Sequence, residues 1–303
     1  MSLYPHNAYT PNGVIPSLEQ EKVIGKLQSV GVLELFTYQH LRFTPPNSNP
    51  EKLRELINAT KVWILNHPED FSVFSTDEQF FGFQTETILS NCFSFARQND
   101  IDLTTIPFWQ EKILNLSDGL ETRLDTVLSS WSADDYIINL AALNPNHDWD
   151  STYRKSLDIR KNYSWVNSSF KSICEIYSKR DIDGFKQTTD SAFFANIEEY
   201  SYSVRGAVYS AYVAAGLLDK KKARKMRSES SSEASLAAAR ALLDNKDKYT
   251  NFDELILQFT DSQHSDVVRA LADGLPINLL SSIVGTKFEW IKNIISKRMT
   301  EDE

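Results

Sequence analysis

Apolar residues recur along this chain at three- and four-residue spacings, the interval that lines side chains up on one face of an α-helix. Val23, Ile24, Leu27 and Val30 follow the capping pair Ser17 and Gln20 behind Pro16. Asn49-Pro50 opens a second segment, Leu53, Leu56, Ile57, Thr60 and Ile64, which His67-Pro68 should close. Residues 77–97 carry Phe80, Phe81, Phe83, Ile88, Leu89, Cys92, Phe93 and Phe95 on more than one side, predicting a central helix buried on two faces. Further helices are expected over 107–116, 118–131 and 132–143. Asn144-Pro145-Asn146-His147-Asp148 is the clearest break, because asparagine and proline both favour turns. It divides a helical N-terminal subdomain, 1–147, from a second unit, 148–303. There, a helical stretch runs from Ser151 to Lys179, interrupted near Tyr163-Ser164, and stops at Asp181 to Gly184.

Four later segments share one look, beginning at Val204, Ala234, Ser265 and Phe288, with starts 30, 31 and 23 residues apart. Shorter helical pieces, 221–226, 251–259 and 276–284, alternate with them. A recurring unit of two helices predicts stacked pairs, since one pair cannot bury its own apolar face. Ser230 with Glu233, Thr250 with Asp253 and Thr286 with Glu289 read as capping pairs. Gly216, Gly274 and Gly285 fall where helices should end in a left-handed residue.

Asp266-Val267-Val268-Arg269-Ala270-Leu271-Ala272, followed by Leu275-Pro276 and Leu279-Leu280, resembles the inner-helix motif of HEAT-type repeats. Val204-Arg205 with Ala207 and Ala211 is similar without the aspartate, and Ala239-Arg240-Ala241 keeps the arginine and the small residues. The likeness covers about 185–299. It implies an all-α fold whose C-terminal half is a right-handed α-solenoid of HEAT-like pairs, with the N-terminal subdomain stacked on it. It also implies a concave surface, lined by the second helix of each pair, that binds other macromolecules.

Composition narrows the classes. Ten glycines and ten prolines in 303 residues are too few for a loop-rich or low-complexity chain, and 41% hydrophobic residues suffice for a sizeable core. No apolar run approaches the ~18 residues of a membrane span. Met1-Ser2-Leu3-Tyr4-Pro5-His6 lacks an export signature, so a cytoplasmic location is expected. Two cysteines, Cys92 and Cys174, read as buried free thiols.

Candidate chemistry is sparse. No two of the five histidines have metal-ligand spacing, and His147 with Asp148 and Asp150, or His264 with Asp261 and Asp266, reads as a turn and a helix start. Glycine-rich phosphate loops and serine elbows do not occur. No catalytic residue, metal or cofactor is therefore assigned. The expectation is a non-enzymatic binding protein whose partner surface comprises Arg205, Tyr209, Arg240, Asp266, Arg269 and Trp290. A net charge of −9 favours a basic protein partner, as for an inhibitor or immunity-type protein. The alternatives are a nucleic-acid-binding solenoid or DNA glycosylase using Lys220, Lys221, Lys222, Arg224, Lys225 and Arg227, and a structural subunit of a larger assembly. The glycosylase reading comes from resemblance to the HEAT-like alkylpurine DNA glycosylases. It draws on Trp109, Trp131, Trp149, Trp165 and Trp290, which read more readily as core.

Overall fold

The computed structural model describes residues 135–301 continuously, 101–129 except Asp118, and scattered positions between 58 and 99. The expected helix starts at Ser17, Asn49-Pro50 and Ser132, together with Trp131, lie outside the described residues. Among the described residues, regular secondary structure is helical apart from a small antiparallel ladder, β1 (Gln79–Phe80) with β2 (Phe83–Gln84), in register Gln79 to Gln84 and Phe80 to Phe83. This ladder corrects the continuous helix expected over 77–97: aromatic residues suit a strand as well as a buried helix face. Among the described residues of that stretch, helix is found at 92–93 and 95–97.

The chain divides into two compact units, 1–127 with 134–147, and 128–133 with 148–303. The first contains α1 (Pro107–Leu116), most of α2 (Leu120–Ser129) and α3 (Asp135–Leu143). Trp109 is fully buried there, its ring edge-on to Phe93 and Phe108, with Nε1 donating to the Ile64 carbonyl at 3.2 Å.

The second unit starts where Asp148 caps α4 (Trp149–Arg160) by accepting the Ser151 N–H. Asn167 caps α5 (Ser168–Arg180) through Phe170. Asp181, read as part of a helix stop, also starts α6 (Ile182–Thr188) by accepting the Gly184 N–H. Polar residues punctuating a helix end serve equally as the next N-cap. A π-helical turn, Thr189–Phe193, and a 3₁₀ segment, Phe194–Glu199, lead to α7 (Tyr202–Ala214). Then follow the basic α8 (Lys220–Arg227), the alanine-rich α9 (Ser232–Asp244), α10 (Phe252–Ile256), α11 (Ser265–Gly274), α12 (Ile277–Leu280) and α13 (Glu289–Glu301).

The long helices α5, α7, α9, α11 and α13 each pack on the next, while α8 packs on α9 and α10 and α12 packs on α13. Close approach is built in: a Cβ added at Gly206 of α7 would touch Ala237 of α9 at 3.5 Å. Gly216 takes φ +79° after α7, as its helix-ending role requires. Gly274 closes α11 without a positive φ, and a Cβ there would lie 2.9 Å from a Leu243 methyl. Two expected caps shift by one residue. Ser231 rather than Ser230 caps α9, and Asn251 rather than Thr250 precedes α10.

Aromatic rings tie the early part of this unit together. Tyr153 and Tyr177 lie against Phe185, Phe185 against Tyr212, Tyr212 against Phe194 and Phe194 against Tyr209, with centroid separations of 5.3–6.4 Å. The second unit holds 23 acidic and 23 basic residues, so the −9 arises entirely from the 18 acidic and 9 basic residues of the first.

Candidate protein-interaction face

The six residues expected to contact a partner separate into two groups. Arg205 and Tyr209, one turn apart on α7, are buried. Arg205 Nη1 donates to Glu229 Oε2 at 2.8 Å, Nη2 to Glu198 Oε2 at 2.9 Å and Nε to the Tyr200 carbonyl at 3.0 Å. The Tyr209 hydroxyl donates to the other Glu229 oxygen. Burial and the adjacent carboxylate push this phenol well above its ordinary value. His264 Nε2 lies 2.8 Å from the Glu229 carbonyl, joining the start of α11 to the α8–α9 connection. Both residues are thus engaged inside the chain.

Arg240, Asp266, Arg269 and Trp290 remain exposed on α9, α11 and α13. Asp266, Arg269 and Asp273 occupy one side of α11 at helical spacing, while Val267, Val268, Leu271 and Ala272 bury the other. The Arg269 guanidinium lies 5.8 Å from the Trp290 ring, with Nε 3.7 Å from Asp273 Oδ2. Trp290 is 46% exposed, unusual for so large an apolar ring. No ion pair forms at Arg240 or Asp266 among the described residues.

The basic helix is largely engaged by its own chain. Lys220 pairs with Glu254 at 2.6 Å, Lys222 with Asp190 at 3.2 Å and Arg227 with Asp261 at 4.0 Å. Arg224 Nε donates to Gln258, and Lys225 lies over the Phe194 ring and reaches its carbonyl. Among the described residues, Lys221 alone of the six makes no such contact. Partial burial opposes the Lys222 charge, but the Tyr212 hydroxyl and the Asp190 carboxylate outweigh it and raise the ammonium above its usual value. These lysines and arginines serve the fold as much as they serve any ligand.

Several functional-looking groups escaped sequence reasoning. Asp150 was noted only as part of a polar cluster near a turn. Its carboxylate accepts from Arg154 Nε at 2.7 Å, the Tyr177 hydroxyl at 2.8 Å and the Thr188 hydroxyl, joining α4, α5 and α6. Asp190 joins Lys186 and Lys222 at 2.7 and 3.2 Å. Partial burial raises both carboxyls, yet the surrounding donors and cations outweigh it and hold them below the ordinary aspartate value. Arg154 and Lys186 stand at i,i+4 spacing from these carboxylates, a local signal, but Tyr177, Thr188 and Lys222 lie 27–38 residues away, where no local spacing signals them. Glu229 likewise gave no cue beyond lying in a serine-rich turn.

Cys92 and Cys174 are buried and free, and burial pushes both thiols far above the reactive range. Among the described residues no cluster of histidine, cysteine and carboxylate groups has a metal-binding arrangement, and no helix is long and apolar enough to cross a membrane. The chain matches no protein-family model, no curated protein and no solved structure at a significant level.

Proposed function

We propose that this chain is a helical-repeat binding module that grips a protein partner through α9, α11 and α13. In this reading α7, α9, α11 and α13 are the second helices of HEAT-like pairs in an α-solenoid, and α6, α8, α10 and α12 are the first. The observation that carries it is the exposed Trp290 with the Arg269 guanidinium over its ring, together with exposed Arg240 on α9 and Asp266 on α11, which form no ion pair among the described residues. Tryptophan and arginine are the residue types that most often anchor interfaces, because each gains much from desolvated contact.

Two features refine the partner. The repeat-bearing unit has no net charge, so this face selects by side-chain fit and local pairing, and long-range attraction of a basic molecule belongs to the acidic unit. A nucleic-acid reading through the basic run would need the Lys220–Glu254, Lys222–Asp190 and Arg227–Asp261 pairs to be exchanged for phosphates.

The test is affinity capture from native extract with the wild type and with a variant carrying Arg240→Glu, Arg269→Glu and Trp290→Ala. A protein retained by the first and lost by the second, at unchanged melting temperature, supports the face. Identical bound proteins on both would remove it. Steeply salt-dependent retention on DNA, lost when Lys221 and Arg224 are replaced by glutamate, would favour the nucleic-acid reading.

A further inference from the structure

Arg160 closes α4 with 1% of its surface exposed, and no carboxylate pairs with it among the described residues. Its Nη2 donates to the Leu128 carbonyl at 3.1 Å, whereas Nε and Nη1 are buried without an acceptor. The rings of Trp165, Tyr163 and Phe170 lie 4.7, 5.5 and 6.0 Å from the guanidinium carbon. Aromatic faces attract the charge through their quadrupoles. They do nothing for the N–H groups, which point outward in the guanidinium plane. Burial accordingly loosens the proton, opposed only by Tyr163.

Seven residues on, Asn167 caps α5. Its Oδ1 accepts the Phe170 N–H at 3.0 Å, but its Nδ2 is also buried without an acceptor, on a residue 8% exposed. The 13-residue α5 has no acidic residue in its first turn to balance the positive end of its dipole. The connection between α4 and α5 therefore runs from a buried cation with unspent donors to a second buried donor at a positive helix pole. Each would be satisfied by the same chemistry: a compact group with several negatively charged oxygens.

We propose that the junction of α4 and α5 is a binding site for a small oxyanion, which takes the unspent edge of the Arg160 guanidinium and the Asn167 amide. The site is independent of the exposed face on α9, α11 and α13. A cation is excluded by the arginine, and an uncharged ligand would leave the guanidinium unneutralised. The planar fork favours bidentate contact with a carboxylate or a phosphate-type group.

Thermal melts of the full chain test this with inorganic phosphate, sulfate and acetate, each against chloride at matched ionic strength. The expected result is a saturable rise of about 2–4 °C with at least one of the three. Asn167→Asp keeps the oxygen that caps α5 and exchanges the donor for an acceptor, so the variant should fold and lose the rise. Arg160→Lys, which keeps the charge but not the fork, should raise the anion's Kd at least tenfold. Phosphate and sulfate acting without acetate would define a tetrahedral ligand, and acetate acting alone a carboxylate. No rise with any of them, or an equal rise in wild type and Asn167→Asp, overturns the proposal.

Discussion

Glu229 gives Arg205 its principal buried counter-charge and Tyr209 its acceptor, so its removal leaves the buried guanidinium with only the exposed Glu198 carboxylate to balance it. Glu229→Ala should cost about 3–5 kcal/mol in urea unfolding. Combining Glu229→Leu with Arg205→Met should recover most of that loss, because the charge then goes with its partner. A double variant no better than the single would mean that packing, not the ion pair, governs the site. Asp150 and Asp190 set an acid limit. Their folded-state carboxyls sit below the unfolded value, so their contribution is complete above about pH 4 and is lost as pH falls through the folded values. Asp150→Asn should flatten the fall in urea midpoint between neutral and strongly acidic pH. Parallel curves for the two proteins would contradict this. Of these partnerships only the i,i+4 pairs Asp150–Arg154 and Lys186–Asp190 have a local spacing, since residues 20–38 apart carry no periodic signature of their meeting.

At the scale of elements the reading was far more successful, for a physical reason. Helices α7, α9, α11 and α13 begin within two residues of the positions expected from Val204, Ala234, Ser265 and Phe288, because amphipathic spacing is local information. The ladder β1–β2 and the start of α6 were missed because phenylalanine and aspartate each serve two structural roles, and packing decides between them. Glycines show the same division. Gly206 lies mid-helix with ordinary contact distance to Ala237, so Gly206→Ala should stabilise α7 by about 0.5–1 kcal/mol, read as a higher melting temperature. Gly184 resembles it in sequence but not in surroundings. A Cβ there would collide with Asp181 Oδ2, the partner of the Oδ1 that caps α6. Gly184→Ala should therefore lower the melting temperature, and a neutral result would show that the cap can shift aside.

For the molecule as a whole, each long helix of the second unit leans mainly on its immediate neighbours, and α13 has a long neighbour on one side only. Its anchorage comes from buried Ile291 and Ile295 and from Arg298, whose Nη1 donates to the Ala272 carbonyl at 2.7 Å. Backbone amide exchange should accordingly be slowest in α7 and α9 and quicken towards α13. Uniform protection from α7 to α13 would instead mark a single cooperative block. Charge partitions as unevenly as stability, and this too escapes whole-chain arithmetic: only the division into units separates nine surplus negative charges from a neutral remainder.

The fastenings between successive helix pairs are all different. Tyr249 bonds the Val213 carbonyl and the Leu218 N–H, His264 meets the Glu229 carbonyl, and Arg298 reaches Ala272. A chain assembled from interchangeable modules can gain or lose one by duplication or excision and still close up. Here each of these three bonds is specific to its own two segments, so splicing out about 30 residues between two of the long helices would bring together edges with no matching fastener.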